Sequence, residues 1–414
     1  MNLLGFRISC RAVADKLFYL PLRHPKTQTN LVAIFHKSAS LRFSWYESIN
    51  WRVLLVPANC THKSTMKKNI FDNLTTLETS FDESGIKKFR ARQVISWLFE
   101  KRAKSFDDMT DLPSELRKQL ADQYSIFSAT IGKHEKSSDG TEKLLVKLND
   151  SQHVECVLLR DGQRRSICVS SQVGCAMGCV FCASGLDGVE RNLTSGEILQ
   201  QMIRLQHLLP EDERLSHIVM MGMGEPLANL DNVLEALGWA SNEKGLGISP
   251  RRVTISTVGI PAAIRRLAEK DCRFHLAVSL HAPNDKLRNQ IVPINSKVGI
   301  DDLLSAADHY FDVSGRKLTF EYVLLADIND SEIHARQLSN LLQGKIAFLN
   351  VIPYNPVAGL PYRTPSPASV ARFRKTVESA GIVVKFRQRK GDQINAACGQ
   401  LRRKTVQLQA KPAT

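Results

Sequence analysis

From about Ser166 onward, short apolar runs alternate with longer stretches of helical period. "SICVSSQV" is followed by a loop and then "TSGEILQQMIRLQHLL", "LSHIVMMGMG" by "NLDNVLEALGWAS", and "RVTISTVG" by "PAAIRRLAEK". "FHLAVSLHA" and "KLTFEYVLLA" precede further helical patterns, and "FLNVIPYNP" precedes "SPASVARFRKTVESAG". An apolar run ahead of a 3.6-period segment marks a strand that crosses through a helix to a parallel neighbour. Six such units, closed by the strand "IVVKFRQ", predict an α/β fold with a parallel sheet. A complete barrel takes eight units. The expectation is therefore an open, partial β/α barrel over residues 166–402.

Upstream, the period changes. From Gly85 to Tyr124 the pattern is helical, with Phe89, Val94, Trp97 and Leu98 on one stripe and Lys87, Lys88, Arg90 and Arg92 off it. "TDLPSELRKQLADQY" follows, with Asp111 or Ser114 as cap and Pro113 near the helix start. Residues 66–125 thus read as a small helical domain, either with a merely solvated basic face or as an accessory domain that grips RNA. Residues 126–165, with "KLLVKLN" and "HVECVLLRD" between turn residues, read as a β-rich connector.

Charge sharpens this picture. The chain has 414 residues, 43% of them hydrophobic, and a net charge of +15, which points to a polyanionic partner, nucleic acid first. Residues 1–65 hold nine Lys or Arg against two acids, Asp15 and Glu47, and so carry +7 of that total. Two readings compete for this segment. One is an organellar transit peptide. The favoured one is a poorly ordered basic extension, or sequence upstream of a start at Met66, because "MKKNIFDNL" reads as an ordinary bacterial N-terminus. Residues 403–414 form a basic tail. No stretch approaches the roughly 18 apolar residues of a membrane span, and a monomer is expected. Nine cysteines are too sparse and uneven for a disulfide scaffold, which indicates metal or redox chemistry in a reducing compartment, the cytoplasm.

The cysteines cluster in "GCAMGCVFCASG", residues 174–185, where Cys175, Cys179 and Cys182 have no obvious fourth partner. Structural zinc takes four ligands. A zinc site completed by Cys168 or a distant His stays open as an alternative. Three thiolates holding three irons of a 4Fe-4S cluster leave the fourth iron to bind S-adenosylmethionine, and one electron then yields a 5′-deoxyadenosyl radical. The C-x-x-x-C-x-x-C spacing after a first barrel strand matches the radical-SAM superfamily. Ligands of parallel sheets bind at the carboxyl ends of the strands, and the other unusual residues fall there: "GMGEP" (Gly222 to Pro226), Ser256 and Thr257, "SLHAPN" (Ser279 to Asn284) and Asn355.

"RRSICVSSQVGCAMGCVFCASG", "VMMGMGEPLANLDNV", "ISTVGIPAAI", "AVSLHAPND", "NVIPYNPVAG" and "INAACGQL" together resemble the RlmN/Cfr family of radical-SAM RNA methyltransferases, over residues 80 to 402. The resemblance implies methylation of an adenosine carbon in 23S ribosomal RNA, carbon 2 ahead of carbon 8, with transfer RNA as a second substrate. It implies one 4Fe-4S cluster on Cys175, Cys179 and Cys182, two S-adenosylmethionine molecules per turnover, and an electron donor such as flavodoxin. It makes Cys398 the methylated cysteine, Cys168 the thiol that resolves the adduct through a transient disulfide, and Glu155 the proton acceptor. It assigns S-adenosylmethionine contacts to Gly224, Glu225, Ser256, Ser279, Leu280, His281 and Asn355. Read without the family, Cys168 and Cys398 are ordinary buried thiols and Glu155 an edge residue. Four positions depart from the family pattern: Cys156 replaces Ser or Thr, Ser184 replaces Thr, and Gln393 and Asn395 replace acids. Two rivals are a radical-SAM enzyme acting on a small molecule or peptide, and a non-catalytic RNA-binding protein with a structural cluster.

Overall fold

The computed structural model describes residues 67–270, 273–387 and 390–401, and three strands upstream of them. It divides the chain into two compact units, Met1–Met66 and Lys67–Thr414. In the first unit, Arg11–Ala12, Leu17–Arg23 and Asn30–His36 form an antiparallel sheet with Leu17–Arg23 in the middle. Pattern reading assigns no strand here, because "LFYLPLR" and "NLVAIFH" are unbroken apolar runs without alternation. The rest of the expected extension, and the tail at 403–414, lie outside the described residues.

In the second unit one ten-stranded sheet runs in chain order. Strands β1 (Thr130–Lys136), β2 (Glu142–Lys147) and β3 (His153–Asp161) form an antiparallel meander. Strand β4 (Arg164–Cys168) is antiparallel to β3 and parallel to β5 (His217–Met220). Strands β6 (Val253–Thr257), β7 (His275–Ser279), β8 (Leu318–Leu324), β9 (Ala347–Pro353) and β10 (Val384–Phe386) continue the parallel series. The six parallel units and their closing strand are those the periodicity predicts. The connector is no separate piece, since the boundary expected at 165/166 falls inside β4. Ile255, Leu276, Val278, Phe320 and Val351 are fully buried, as a parallel sheet covered by helices demands.

Helices α1 (Leu77–Glu83), α2 (Phe89–Phe99) and α3 (Ser114–Gln123) precede the sheet. Helix α2 buries Ala91, Val94, Ile95, Leu98 and Phe99, an i, i+3, i+4, i+7, i+8 stripe. Val94 and Leu98 are buried as the pattern predicts, and Phe89 and Trp97 are the two that depart from it. Phe89 is exposed beneath the Arg90 guanidinium, and Trp97 lies at the edge with Lys101 4.0 Å above its ring. The capping expectation also fails: α3 starts after Pro113 without a side-chain cap, because Asp111 instead accepts from the Trp97 indole at 2.6 Å.

The helical segment packs on the barrel helices α4 (Ser195–Gln206) and α5 (Leu230–Ser241). Phe99 stacks on Trp239, with ring centroids 5.9 Å apart, and the Gly196 amide at the start of α4 donates to Asp72 at 2.6 Å. Arg102 donates to the carbonyls of Leu209, Pro210 and Glu213, so its charge serves the junction. A capping box of Thr194 and Glu197 starts α4, and no described helix is long and apolar enough to cross a membrane.

At the other end of α4, His207 packs edge-on to Phe127 and is surrounded by Lys104, Arg102 and Arg204. Burial and these cations hold its pKa down at about 4. An unfolded His takes its proton near pH 6.5, so the unfolded chain binds the proton first and stability should fall from about pH 6.5 to about pH 4. His207→Gln should flatten that slope in denaturant midpoints measured across this range. An unchanged slope would mean the junction is not carrying it.

Candidate active site

The loop after β4 is pinned before it carries any chemistry. Gln172–Gly174 pairs antiparallel with Val189–Asn192, closing the cysteine loop at its base. Gly174 has φ +79°, and a Cβ there would collide with the Gly188 carbonyl. Inside, the Val180 amide donates to the Ile291 carbonyl at 3.1 Å, and the Ala183 amide to the Gly399 carbonyl at 2.8 Å. Phe181, Ala183, Val258, Ile291, Leu325 and Tyr354 form an apolar shelf against Cys179 and Cys182.

Burial pushes the Cys175 thiol up to about 12 and drives Cys179 and Cys182 upward as well. Such thiols ionise only when a cation is supplied, and a coordinating metal does this. Cys182 raises both Cys175 and Cys179, and Cys175 raises Cys179, so the three share one field. Among the described residues no group of three or more His, Cys, Asp and Glu converges tightly enough to hold a single metal ion. Ligands to three separate irons need no such convergence. Cys168, the fourth ligand of a zinc alternative, instead has Cys398 and Arg387 as its charged neighbours. The donor set fits a cluster.

One cavity opens beside these thiols, bounded by the strand ends. Cys175, Cys179, Cys182, Gly224, Glu225, Ser256, Ser279, His281, Asn355 and Cys398 all line it. Gly224 has φ +100°, and a Cβ would lie 2.6 Å from Gln172, so only glycine brings the backbone this close. Ser256 and Ser279, on adjacent strands, face each other at 3.5 Å between hydroxyls. The His281 ring accepts from the Val323 amide through Nδ1 at 3.1 Å, which leaves Nε2 as its donor. Asn355 donates to the Cys398 carbonyl at 3.1 Å, while its buried Oδ1 has no partner. An orphaned acceptor in a cavity wall fits a polar ligand such as S-adenosylmethionine.

Two of the expected contacts sit differently from the rest. Leu280 is fully buried, does not line the cavity, and its carbonyl is taken by Arg288 at 2.9 Å. Alternation along the strand explains it: Ser279 and His281 turn to the cavity and Leu280 to the core. Glu225 lines the cavity, but its carboxylate oxygens already accept from the amides of Leu227 at 3.0 Å and Val258 at 2.8 Å. It caps a short helix and ties two loops together, and any ligand ammonium shares it with these amides.

Residues 68–126 match the family described as the ribosomal RNA large subunit methyltransferase N-terminal domain, and residues 169–337 match the radical SAM superfamily. A protein of Rhodopirellula baltica named "Probable dual-specificity RNA methyltransferase RlmN" is 64% identical over 358 residues, 86% of this chain and 96% of that protein. This chain belongs to the RlmN family. Its relative of the same name in Bacillus subtilis is 42% identical over 78% of the chain and 90% of that protein. The crystal structure of a radical SAM methyltransferase from Sphaerobacter thermophilus superposes with a TM-score of 0.79 at 40% identity, covering 81% of this chain and 99% of that one.

The three residues that the family assigns to chemistry are not all on the cavity wall. Cys398 is there, with the Arg387 guanidinium 3.5 Å from its sulfur. Cys168, at the end of β4, is buried behind it and pushed up to about 12 by burial and by Cys398. Glu155 is 2% exposed rather than at an edge, and Lys143 lies 3.1 Å from its Oε1. The same ammonium donates to the Asn395 carbonyl at 3.2 Å. RlmN-type motifs leave three groups unmentioned: Arg387; Glu321, a cavity-lining acid in mid-β8; and Arg288. An acid inside "LTFEYVL" was the only local signal for Glu321.

Gly224→Ala should raise the dissociation constant for S-adenosylmethionine at least tenfold, because the added methyl must displace Gln172, which itself holds the Glu225 amide at 2.8 Å. Calorimetric titration of anaerobically prepared protein checks it; unchanged affinity would remove this wall from the ligand site.

Proposed function

We propose that the chain methylates carbon 2 of adenosine in 23S ribosomal RNA and in transfer RNA, through a methyl group first placed on Cys398. The observation that supports this is the position of Cys398, on the wall of the cavity that the three cysteines also line and with the buried Cys168 thiol in its electrostatic reach. The printed names of the relatives, dual-specificity RNA methyltransferases, favour two kinds of RNA.

The aromatic C–H at adenine carbon 2 is neither acidic nor nucleophilic, so direct displacement by the base on a sulfonium has no route. When bound, a 4Fe-4S cluster on Cys175, Cys179 and Cys182 supplies one-electron cleavage of S-adenosylmethionine to a hydrogen-abstracting radical. Cys398 takes the methyl of one S-adenosylmethionine by displacement and presents it to the cavity, and a second molecule is consumed in activating that methyl. Carbon–carbon bond formation ties the base to Cys398, and the unpaired electron left on that adduct would return to the cluster as the carbon 2 proton departs. Glu155, whose charge Lys143 holds, accepts the carbon 2 proton. Cys168 attacks the Cys398 sulfur, closing a disulfide as the carbon–sulfur bond breaks. An external thiol reductant reopens it, and a flavodoxin-class donor supplies the electron. The enzyme works as a cytoplasmic monomer.

Cys179→Ala should lose iron on anaerobic reconstitution and form no 5′-deoxyadenosine. Cys398→Ala should keep iron and lose all RNA methylation, whereas Cys168→Ala should trap RNA covalently. Nuclease digests of ribosomal and transfer RNA from cells with and without the gene should differ by 2-methyladenosine in both pools. 8-Methyladenosine would overturn the assigned carbon, and free turnover by Cys168→Ala the resolving role.

The compact unit starts at Lys67. We propose that residues 1–65 take no part in catalysis, so a chain starting at Met66 should methylate RNA as fast as the full chain. A loss of activity with iron retained would place that segment in the enzyme.

A further inference from the structure

Arg387 follows β10, where its amide donates to the Val351 carbonyl at 2.9 Å and so fixes it to β9. Its side chain then reaches inward. The guanidinium donates to the Cys398 sulfur at 3.5 Å and to the Met221 sulfur at 3.9 Å. Among the described residues, no carboxylate lies within ion-pair distance of it. A permanently charged group set against two sulfurs is an unusual use of arginine, which normally forks onto oxygen. The ionisable groups around it are Cys398, Glu321, Cys168 and Arg164. Glu321 is buried, lines the same cavity, and accepts from Asn350 at 2.7 Å.

We propose that Arg387 is the positioning residue that holds the Cys398 sulfur in place to receive a methyl group, and that Glu321 competes for the same positive charge. The proposal rests on the methyl relay through Cys398 set out above. Methyl transfer from a sulfonium requires a sulfur lone pair free of its proton: the new bond joins Cys398 sulfur to the methyl carbon, the sulfonium carbon–sulfur bond breaks, and S-adenosylhomocysteine leaves with that electron pair. A thiol must shed its proton as it attacks, and an adjacent guanidinium stabilises the negative charge that develops on the sulfur. Cys168 receives no such hydrogen bond and burial pushes it up to about 12, so the two thiols are distinguished before reaction. Once methylated, Cys398 is a neutral thioether and a poor partner for a cation. The charge of Arg387 then remains for Cys168, when that thiol must attack. One guanidinium thereby serves both thiols in turn. Glu321 tunes the first step: burial pushes its carboxyl up to about 7, so it draws on Arg387 above that pH and not below.

The test reads the sulfur directly and needs no turnover. Full-length protein, anaerobic and carrying its cluster, is treated with iodoacetamide between pH 6 and 9. Alkylation of Cys398 is then timed by peptide mass spectrometry, counting only unmethylated peptide. The parent should alkylate at pH 7 at least about tenfold faster than Arg387→Gln, and Arg387→Lys should recover part of the rate. Glu321→Gln should speed alkylation at pH 8 and leave it unchanged at pH 6, where Glu321 is already neutral. Equal rates in the parent and Arg387→Gln at equal iron content would overturn the proposal. If Arg387→Gln fails to hold iron, Glu321→Gln decides: no acceleration at pH 8 is equally fatal. Failure of the methyl relay would show instead as an absence of methylated Cys398 peptide, with the alkylation contrast intact.

Discussion

A buried guanidinium holds the rim of the barrel together. Arg288, in α7 (Asp285–Ile291), is 1% exposed and donates to the carbonyls of Leu280 at 2.9 Å, Val258 at 2.6 Å and Ser279 at 3.0 Å, and to Asn295 at 2.6 Å. A parallel barrel must leave its strand-end carbonyls unpaired where the loops depart, and buried carbonyls without donors are costly. One planar fork answers for the loops after β6 and β7 at once. Asn329 does the same after β8, donating to the carbonyls of His281 and Val323 at 2.8 and 2.7 Å. Glu225 completes the set from the acceptor side, through the Val258 amide. The cavity's hydroxyls and imidazole stand where they do because the backbone beneath them is satisfied.

The C-terminal loop depends on this frame and adds a second layer. Residues 391–401 carry Cys398 and have little regular structure of their own, so side-chain tethers define their path. On one side the Gly391 amide donates to Asp139 at 2.8 Å, Gln393 accepts from Ser137 and Ser138, and Lys143 reaches the Asn395 carbonyl. On the other, Asn355 holds the Cys398 carbonyl, Gln400 donates to the Pro356 carbonyl at 2.9 Å, and Ser184 to the Leu401 carbonyl at 2.7 Å. The antiparallel strands β1–β3 thus do more than connect two domains. They anchor the loop that carries Cys398, and they place Lys143 between that loop and Glu155.

What could be read along the chain follows this division. The six strand–helix units, the cysteine loop and most of the rim were legible, because strand period, helix period and glycine-bearing turns are local properties. Ser256, Ser279, His281 and Asn355 each stand at a strand end, and a strand end can be counted. Arg387, Arg288 and Glu321 were not legible as site residues. Met221 and Arg387 meet across 166 positions, and nothing near either one announces the other. Glu225 shows the converse: its motif marks it as a ligand acceptor and says nothing of the Val258 amide, which reaches it from the loop after another strand. Phe89 and Trp97 departed from the expected helix α2 stripe because both, apolar by type, cover basic side chains at the surface.

The departures from the family pattern fall largely on the tethers. Ser184 keeps the hydroxyl that reaches Leu401, so losing the methyl of Thr leaves that hydrogen bond in place. Gln393 supplies the acceptor that Ser137 and Ser138 need, which an acid would also do, but without charge. Asn395 adopts φ +50°, a left-handed conformation that Asn tolerates, and its carbonyl rather than its side chain meets Lys143. An acid at position 395 would add negative charge to the loop whose carbonyl Lys143 holds, while Glu135 and Glu155 already share that one ammonium at 3.5 and 3.1 Å. Like charge at such range raises a carboxyl's affinity for its proton. The neutral Asn395 therefore leaves Lys143 more fully to Glu155. Cys156, the fourth departure, is fully buried beside Cys168 with a thiol that burial drives far up, so it remains a packing residue and adds no competing nucleophile. In this chain the altered positions adjust the placement of the loop that carries Cys398, and none of them falls on Cys168, Cys398, Glu155 or the three clustered cysteines.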